Sequence, residues 1–145
     1  MLNKAILLAT TYHAGQYDRG GNPYILHPLK VMHYLKTEDE ELMCIAVMHD
    51  LLEDTSATVD TLIALEFSNR VIQAVQALTK IEGQTYDEYK QGIFNNQDAM
   101  KVKMCDLRHN SDIRRLKSKK ITEKDIARMI KYHQFYLEIQ SHLTK

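Results

Sequence analysis

Seven consecutive apolar residues, 42–48 (LMCIAVM), run without a break into His49-Asp50-Leu51-Leu52-Glu53-Asp54. As a helix the apolar stretch is hydrophobic around its whole circumference, so it belongs at the centre of a fold. Its continuation then delivers four ionisable groups to the edge of that centre. At roughly 100° per residue, His49 and Glu53 fall on one row and Asp50 and Asp54 on the next, within an arc of about 140°. Burying these groups uncompensated would cost several kcal/mol each, against a total stability of about 5–15 kcal/mol. The segment therefore calls for a cation. A divalent metal is the simplest, with adjacent His49 and Asp50 turned toward one ion and Glu53 and Asp54 one turn away, free to hold water. The alternative is an exposed helix end with solvated acids.

Chain punctuation is sparse elsewhere. Of five glycines and two prolines, three glycines and both prolines fall in residues 15–28, the main irregular loop. Around it the apolar spacing is helical. Leu2, Ala5, Ile6, Ala9, Tyr12 and His13 form one face of a first helix ending near Gly15. Pro28 suits the first turn of a second helix, which carries Leu29, Val31, Met32 and Leu35 and stops near Lys36. Thr37 and Glu40 form a capping-box pattern for the central helix. Thr58 opens a short helix through Leu65, Ser68 or Asn69 the next, and Thr85 with Glu88 another. A further helix spans residues 98 to about 113, and Thr122 with Glu123 and Asp125 opens the last. In that last helix Ile126, Met129, Ile130, His133 and Leu137 are expected to face inward. No alternating strand pattern or internal repeat is present. The expected fold class is all-α, a single domain over residues 1–145 built as a bundle of about seven or eight helices. The run 114–120 (RRLKSKK) reads as a solvated connection, with phosphate steering as the alternative.

Charge narrows the function. Nineteen Lys and Arg match nineteen Asp and Glu, so no overall field draws the chain to nucleic acid or an anionic membrane. Any anion site must be local. No apolar run approaches the roughly 18 residues of a membrane span. Cys44 and Cys105 lack CxxC spacing and the N-terminus lacks a signal-peptide layout, which points to a reducing cytoplasm.

One ion needs ligands from beyond 49–54. His27, set by Pro28 at a helix start, and Asp106, an acid in the otherwise apolar 102–107 stretch, are the two to look for. On a helix Asp106 shares a stripe with Lys103 and Asn110, so one face would carry a ligand, a cation and an amide. The alternative for Asp106 is a solvated acid paired with Lys103. His13 reads as a satisfied core histidine bracing the 15–28 loop, and His33, His109, His133 and His142 as structural or exposed. The methionines sit at core spacings and read as packing. Tyr132, Phe135 and Tyr136 read as closing the bundle or meeting another subunit, with stacking on a base as the alternative.

Four segments carry a resemblance: HAGQYDRGGNPYILHP (13–28), HDLLEDT (49–55), ALTK (77–80) and KVKMCDLRHN (101–110). In order, they resemble the HD-superfamily hydrolase domain of the RelA/SpoT family, also found as free-standing small alarmone hydrolases. The likeness runs over residues 5–115. It implies an HD-domain fold and release of pyrophosphate from guanosine tetra- or pentaphosphate, leaving GDP or GTP. It further implies His27, His49, Asp50 and Asp106 as ligands of one divalent ion, manganese in that family. Glu53 and Asp54 would position and deprotonate the attacking water. By position, Arg19, Lys103 and Arg108 would be cations for the phosphates, with Asn110 hydrogen-bonding sugar or phosphate. A metal that lowers the pKa of water, beside acids that accept a proton, is suited to such chemistry.

This chain also departs from that family. Asp18-Arg19 stands where the family commonly has Arg-Lys, Leu107-Arg108 where it has Arg-Leu, and Ile113 where a base-contacting threonine falls. The metal set is intact while the substrate set is altered. The expected function is a metal-dependent (p)ppGpp pyrophosphohydrolase acting on a small-molecule guanosine polyphosphate. Two alternatives are an HD-type phosphohydrolase of another phosphorylated nucleotide or dinucleotide, and a catalytically silent, metal-stabilised nucleotide-binding module. Retention of both Glu53 and Asp54 argues against silence. A homo-oligomer is compatible with the sequence.

Overall fold

A computed structural model describes residues 1–116 and 120–145. The helices are α1 (Leu2–Tyr12), α2 (Leu26–Tyr34), α3 (Glu40–Met48), α4 (Leu51–Asp54), α5 (Val59–Ala64), α6 (Asn69–Ala77), α7 (Tyr86–Phe94), α8 (Gln97–Asn110) and α9 (Glu123–Leu143). A 3₁₀ turn, Ile113–Leu116, lies between α8 and α9. Among the described residues there is no strand, only one antiparallel bridge between Tyr17 and Pro23. The fold is all-α, as expected. The central helix breaks at His49 and Asp50; counted with α4 as one kinked unit, it brings the helices among the described residues to eight. None of them is long and apolar enough to cross a membrane.

The hub is α3. Cys44, Ile45, Ala46, Val47 and Met48 are completely buried, and α1, α2, α6 and α8 pack around them. Each large side chain buried there contributes about 1.5–3 kcal/mol. The start of α3 differs from the Thr37–Glu40 box. Asp39 is the cap, accepting from the Leu42 N–H at 3.2 Å, while Thr37 accepts from the Asp39 N–H at 3.1 Å. Glu40 is thereby released to accept from the Leu2 N–H at 2.9 Å, joining α1 to α3. The other starts match their capping residues: Ser68 for α6, Thr85 with Glu88 for α7, and Thr122 with Asp125 for α9. Arg70 bonds Asp39, Glu41 and Asp98, drawing the N-terminal ends of α3, α6 and α8 together.

Two other boundaries follow local chemistry. Gly15, at φ +82°, ends the turn after α1 in the left-handed region that glycine tolerates. α2 begins just before Pro28, which sits in its first turn. α8 ends at Asn110, short of the expected residue 113. Of the basic run, Lys117, Ser118 and Lys119 lie outside the described residues. Arg114 is solvated and pairs with Asp112 at 2.8 Å, but Arg115 is no part of a solvated connection, because it folds back onto the 15–28 loop.

The last helix docks by a different face from the one expected. Phe135 and Ile139 are buried, with Tyr132, Tyr136 and Leu143 beside them. His133 is exposed, and Ile126, Ile130 and Leu137 are 52%, 54% and 47% exposed. α9 carries two apolar stripes, and the aromatic one docks because it buries larger surfaces and finds ring partners. Phe135 meets both Tyr86 and Phe94 edge-on at 6.0 Å between ring centroids. Phe135→Ala should therefore cost about 3–5 kcal/mol in denaturant unfolding, and Ile130→Ala less than about 0.5 kcal/mol. The opposite order would show that α9 docks through the isoleucines.

Candidate metal centre

His27 on α2, His49 and Asp50 at the α3–α4 break, and Asp106 on α8 offer one ligand atom each, all within 4.8 Å of one another. The break matters. Ending α3 at Met48 leaves the Ala46 carbonyl to accept from His49 Nδ1–H at 2.7 Å, which fixes the ring. Because a carbonyl can only accept, Nδ1 carries the hydrogen, and Nε2 faces Asp50 at 3.0 Å and Asp106 at 3.2 Å. His27 repeats the pattern. Its Nδ1 lies 2.7 Å from His109 Nδ1 and its Nε2 lies 2.8 Å from Asp106 Oδ1. With His109 as the acceptor, His27 also turns its Nε2 lone pair inward.

Two imidazole lone pairs against two carboxylates form a set of acceptors, stable only around positive charge. Burial disfavours the charged forms, yet His49 overrides this at Asp50 and lowers its carboxyl to about 2. At Asp106 the opposition of burial is overcome by Lys103 and His49, leaving its carboxyl well below the ordinary range. For His49, burial is outweighed by Asp50 and Asp106, which raise its pKa. Burial, then Arg115 and His27, push His109 down to about 4, consistent with a neutral ring accepting from His27. The donor set, two borderline imidazole nitrogens and two hard carboxylate oxygens, fits a divalent transition metal. The second nitrogen of each histidine is already held by a protein group, as is usual for metal ligands.

Glu53 and Asp54 stand at the open side, and with Asp50 they form a second acidic group within 4.8 Å. Glu53 accepts from the Lys80 N–H at 2.7 Å. Burial and then neighbouring carboxylates raise the pKa of both acids: Asp54 and Asp50 act on Glu53, and Asp50 acts on Asp54. Tyr24, not singled out from sequence, donates to Asp50 at 2.5 Å and lies 3.3 Å from Asp54. His13 is buried and bonds Gln16 at 2.9 Å, bracing the loop as expected, but its Nε2 has no partner among the described residues and so is only half satisfied.

The proposed substrate residues divide. Lys103 is drawn inward as the counter-ion of Asp106, at 2.8 Å. Asn110 donates to Asp106 at 3.0 Å and lines a cavity of about 310 Å³ beside the cluster. Arg19 stands at the mouth of that cavity, 3.9 Å from Asp125. Tyr17, Tyr24, Arg115, Arg128 and Tyr132 complete much of its wall. Arg108 is not brought to the site. Two residues beyond Asp106 is about 200° around a helix, so it points outward and stacks 3.9 Å over the Tyr34 ring. Ile113 is exposed and lines no part of the cavity. The residues sequence reasoning missed are Tyr24, His109 and Arg115; the Asp-x-Gly-Gly turn that holds Arg115 was the available signal.

The HD domain model matches residues 5–124. The chain belongs to the HD domain family. A probable GTP pyrophosphokinase of Mycobacterium leprae is 31% identical over 121 residues, covering 76% of this chain and 15% of that protein. A probable guanosine-3′,5′-bis(diphosphate) 3′-pyrophosphohydrolase of Mycoplasma genitalium is 33% identical over 87 residues, 59% of this chain and 12% of that protein. This HD domain therefore spans only a small part of the curated relatives it matches. Among solved structures, a metazoan ortholog of SpoT, described as hydrolysing ppGpp, superimposes with a TM-score of 0.78 at 20% identity, over 95% of this chain and 84% of that one. The likeness supports the same helical fold.

Divalent cation should raise the melting temperature of this HD domain, since an ion at about 100 times its Kd adds about 2.7 kcal/mol to the folded state. Asp106→Asn should remove most of that increase. An unchanged metal-dependent shift in the variant would take Asp106 out of the ligand set.

Proposed function

We propose that residues 1–145 form a single metal-dependent hydrolase domain that removes pyrophosphate from the 3′ position of guanosine tetra- or pentaphosphate, in the cytoplasm and with manganese as the ion. The observation that carries this is the convergence of His27, His49, Asp50 and Asp106 beside a Glu53–Asp54 pair and a cavity of about 310 Å³ with aromatic and basic walls. The names of the relatives support it in kind.

When bound, the ion would supply Lewis acidity and lower the pKa of water. His27 and His49 would hold it through Nε2, and Asp50 and Asp106 through one carboxylate oxygen each. Glu53 is the base in this reading. Its raised pKa brings it closer to the operating pH, where a carboxylate accepts a proton most productively. Asp54 orients the water, and Tyr24 holds Asp50 and Asp54 in place. The water oxygen bonds to the phosphorus next to the 3′ oxygen, the P–O3′ bond breaks, and the 3′ oxygen takes up a proton as pyrophosphate leaves. Asn110 and Arg19 meet the nucleotide at the cavity, and Lys103 tunes Asp106 from behind. A second reading, hydrolysis of another phosphorylated nucleotide or dinucleotide, is favoured by Asp18, whose negative charge lines the same cavity.

Purified protein with manganese, given guanosine polyphosphates, nucleoside triphosphates and dinucleotides, should release pyrophosphate from the first group. Turnover confined to another group would favour the second reading, and no turnover would overturn both. Glu53→Gln should retain the metal and lower kcat by about 10² to 10⁴; unchanged turnover would reject Glu53 as the base.

A further inference from the structure

Arg115 lies outside every segment that carries the family resemblance, yet it is among the most elaborately held side chains near the cavity. Its Nη1 donates to Asn110 Oδ1 at 2.9 Å and lies 3.5 Å from the His109 carbonyl oxygen, and its Nη2 donates to Asp18 at 3.2 Å. Asn110 in turn donates to Asp106 at 3.0 Å, so the guanidinium stands one side chain away from the proposed metal ligands. Asp18 is itself fixed. Its Oδ1 accepts from the N–H groups of Gly20 and Asn22, both at 2.9 Å, and this leaves Oδ2 to meet Arg115. The backbones are equally close. A Cβ on Gly20 would lie 2.1 Å from the Arg115 carbonyl oxygen, so only glycine lets the loop seat against the 3₁₀ turn.

Asp18 and Arg115 together line two cavities, the one of about 310 Å³ and a second of about 490 Å³ that also includes His27 and His109. Arginine presents five N–H donors in a planar fork; Nη1 meets Asn110 and the His109 carbonyl and Nη2 meets Asp18, which among the described residues leaves the Nε–H and one Nη2 hydrogen for a further acceptor. A phosphate can add to such a fork without displacing the aspartate.

We propose that Arg115 is the phosphate-recognising residue of this site, binding the nucleotide's phosphoryl oxygens outside the metal centre, and that Asp18 orients it. This rests on the reading that the cavity takes a phosphorylated nucleotide. It moves the cation that the family places at position 18 to position 115, and it makes Asp18 a positioning residue.

The test has two arms, turnover of the best substrate by the manganese-loaded protein and calorimetric binding of GDP to the same protein. Arg115→Ala should raise KM and the GDP Kd at least about tenfold, as expected for losing a charged, forked contact, with kcat changed less than about threefold. Arg115→Lys should recover only part of the loss. Gly20→Ala, which removes no charge, should raise KM in the same direction by pushing the loop off Arg115. Asp18→Asn keeps the turn but loses the ion pair, and it should raise KM. If Asp18→Asn instead lowers KM, Asp18 repels phosphate and the proposal fails. It fails equally if Arg115→Ala leaves KM and GDP affinity unchanged in a protein that melts normally, or if the wild-type protein does not bind GDP. Wild-type protein that binds GDP through Arg115 but releases no pyrophosphate would overturn the assigned reaction and leave this contact standing.

Discussion

Two carboxylates and two imidazole lone pairs meet at the buried end of the central helix, and much of the structure is arranged around their mutual repulsion. Asp106 accepts from Lys103 on one oxygen and from Asn110 on the other, and the oxygen bonded to Asn110 also faces Nε2 of both histidines. The helix gives up its continuity at the same point. By ending at Met48 it provides a carbonyl that fixes His49 and turns Asp50 toward the shared centre. A straight helix would have kept its backbone bonds but spread the charged groups along one face.

How much was readable from sequence depended on whether a residue's neighbours were local. The ligand pair on α3 could be found because a fully apolar helix running into charge has few stable outcomes. Asp106 could be placed with Lys103 and Asn110 because spacings of three and four residues share a helical stripe, and the hydrogen bonds follow that stripe. The same geometry excludes Arg108, which is two residues on from Asp106. The α9 error has a different cause. Ile126, Ile130 and Leu137 repeat at helical spacing as regularly as the Tyr132–Phe135–Ile139 stripe does, and only the rings of α7 decide between them. Likewise Thr37 and Glu40 have the right spacing for a box, but Asp39 is nearer the helix start and Glu40 has a partner in α1.

The partners of the site were harder to find. Tyr24 reaches Asp50 across 26 positions, and His109 meets His27 across 82. Nothing in either local pattern reveals such a meeting. Arg115 had been grouped with its basic neighbours as solvent-facing, and the seating of Gly20 against its backbone is what separates it from Arg114.

The wall of the cavity is assembled from distant parts of the chain. The proposed metal ligands lie between His27 and Asp106, but Arg128, Met129 and Tyr132 come from α9, beyond residue 124 where the match to the family ends. A helix that supplies none of the proposed ligands thus closes one part of the cavity. Exchanging that one terminal helix would reshape this part of the cavity while the four proposed ligands stay untouched.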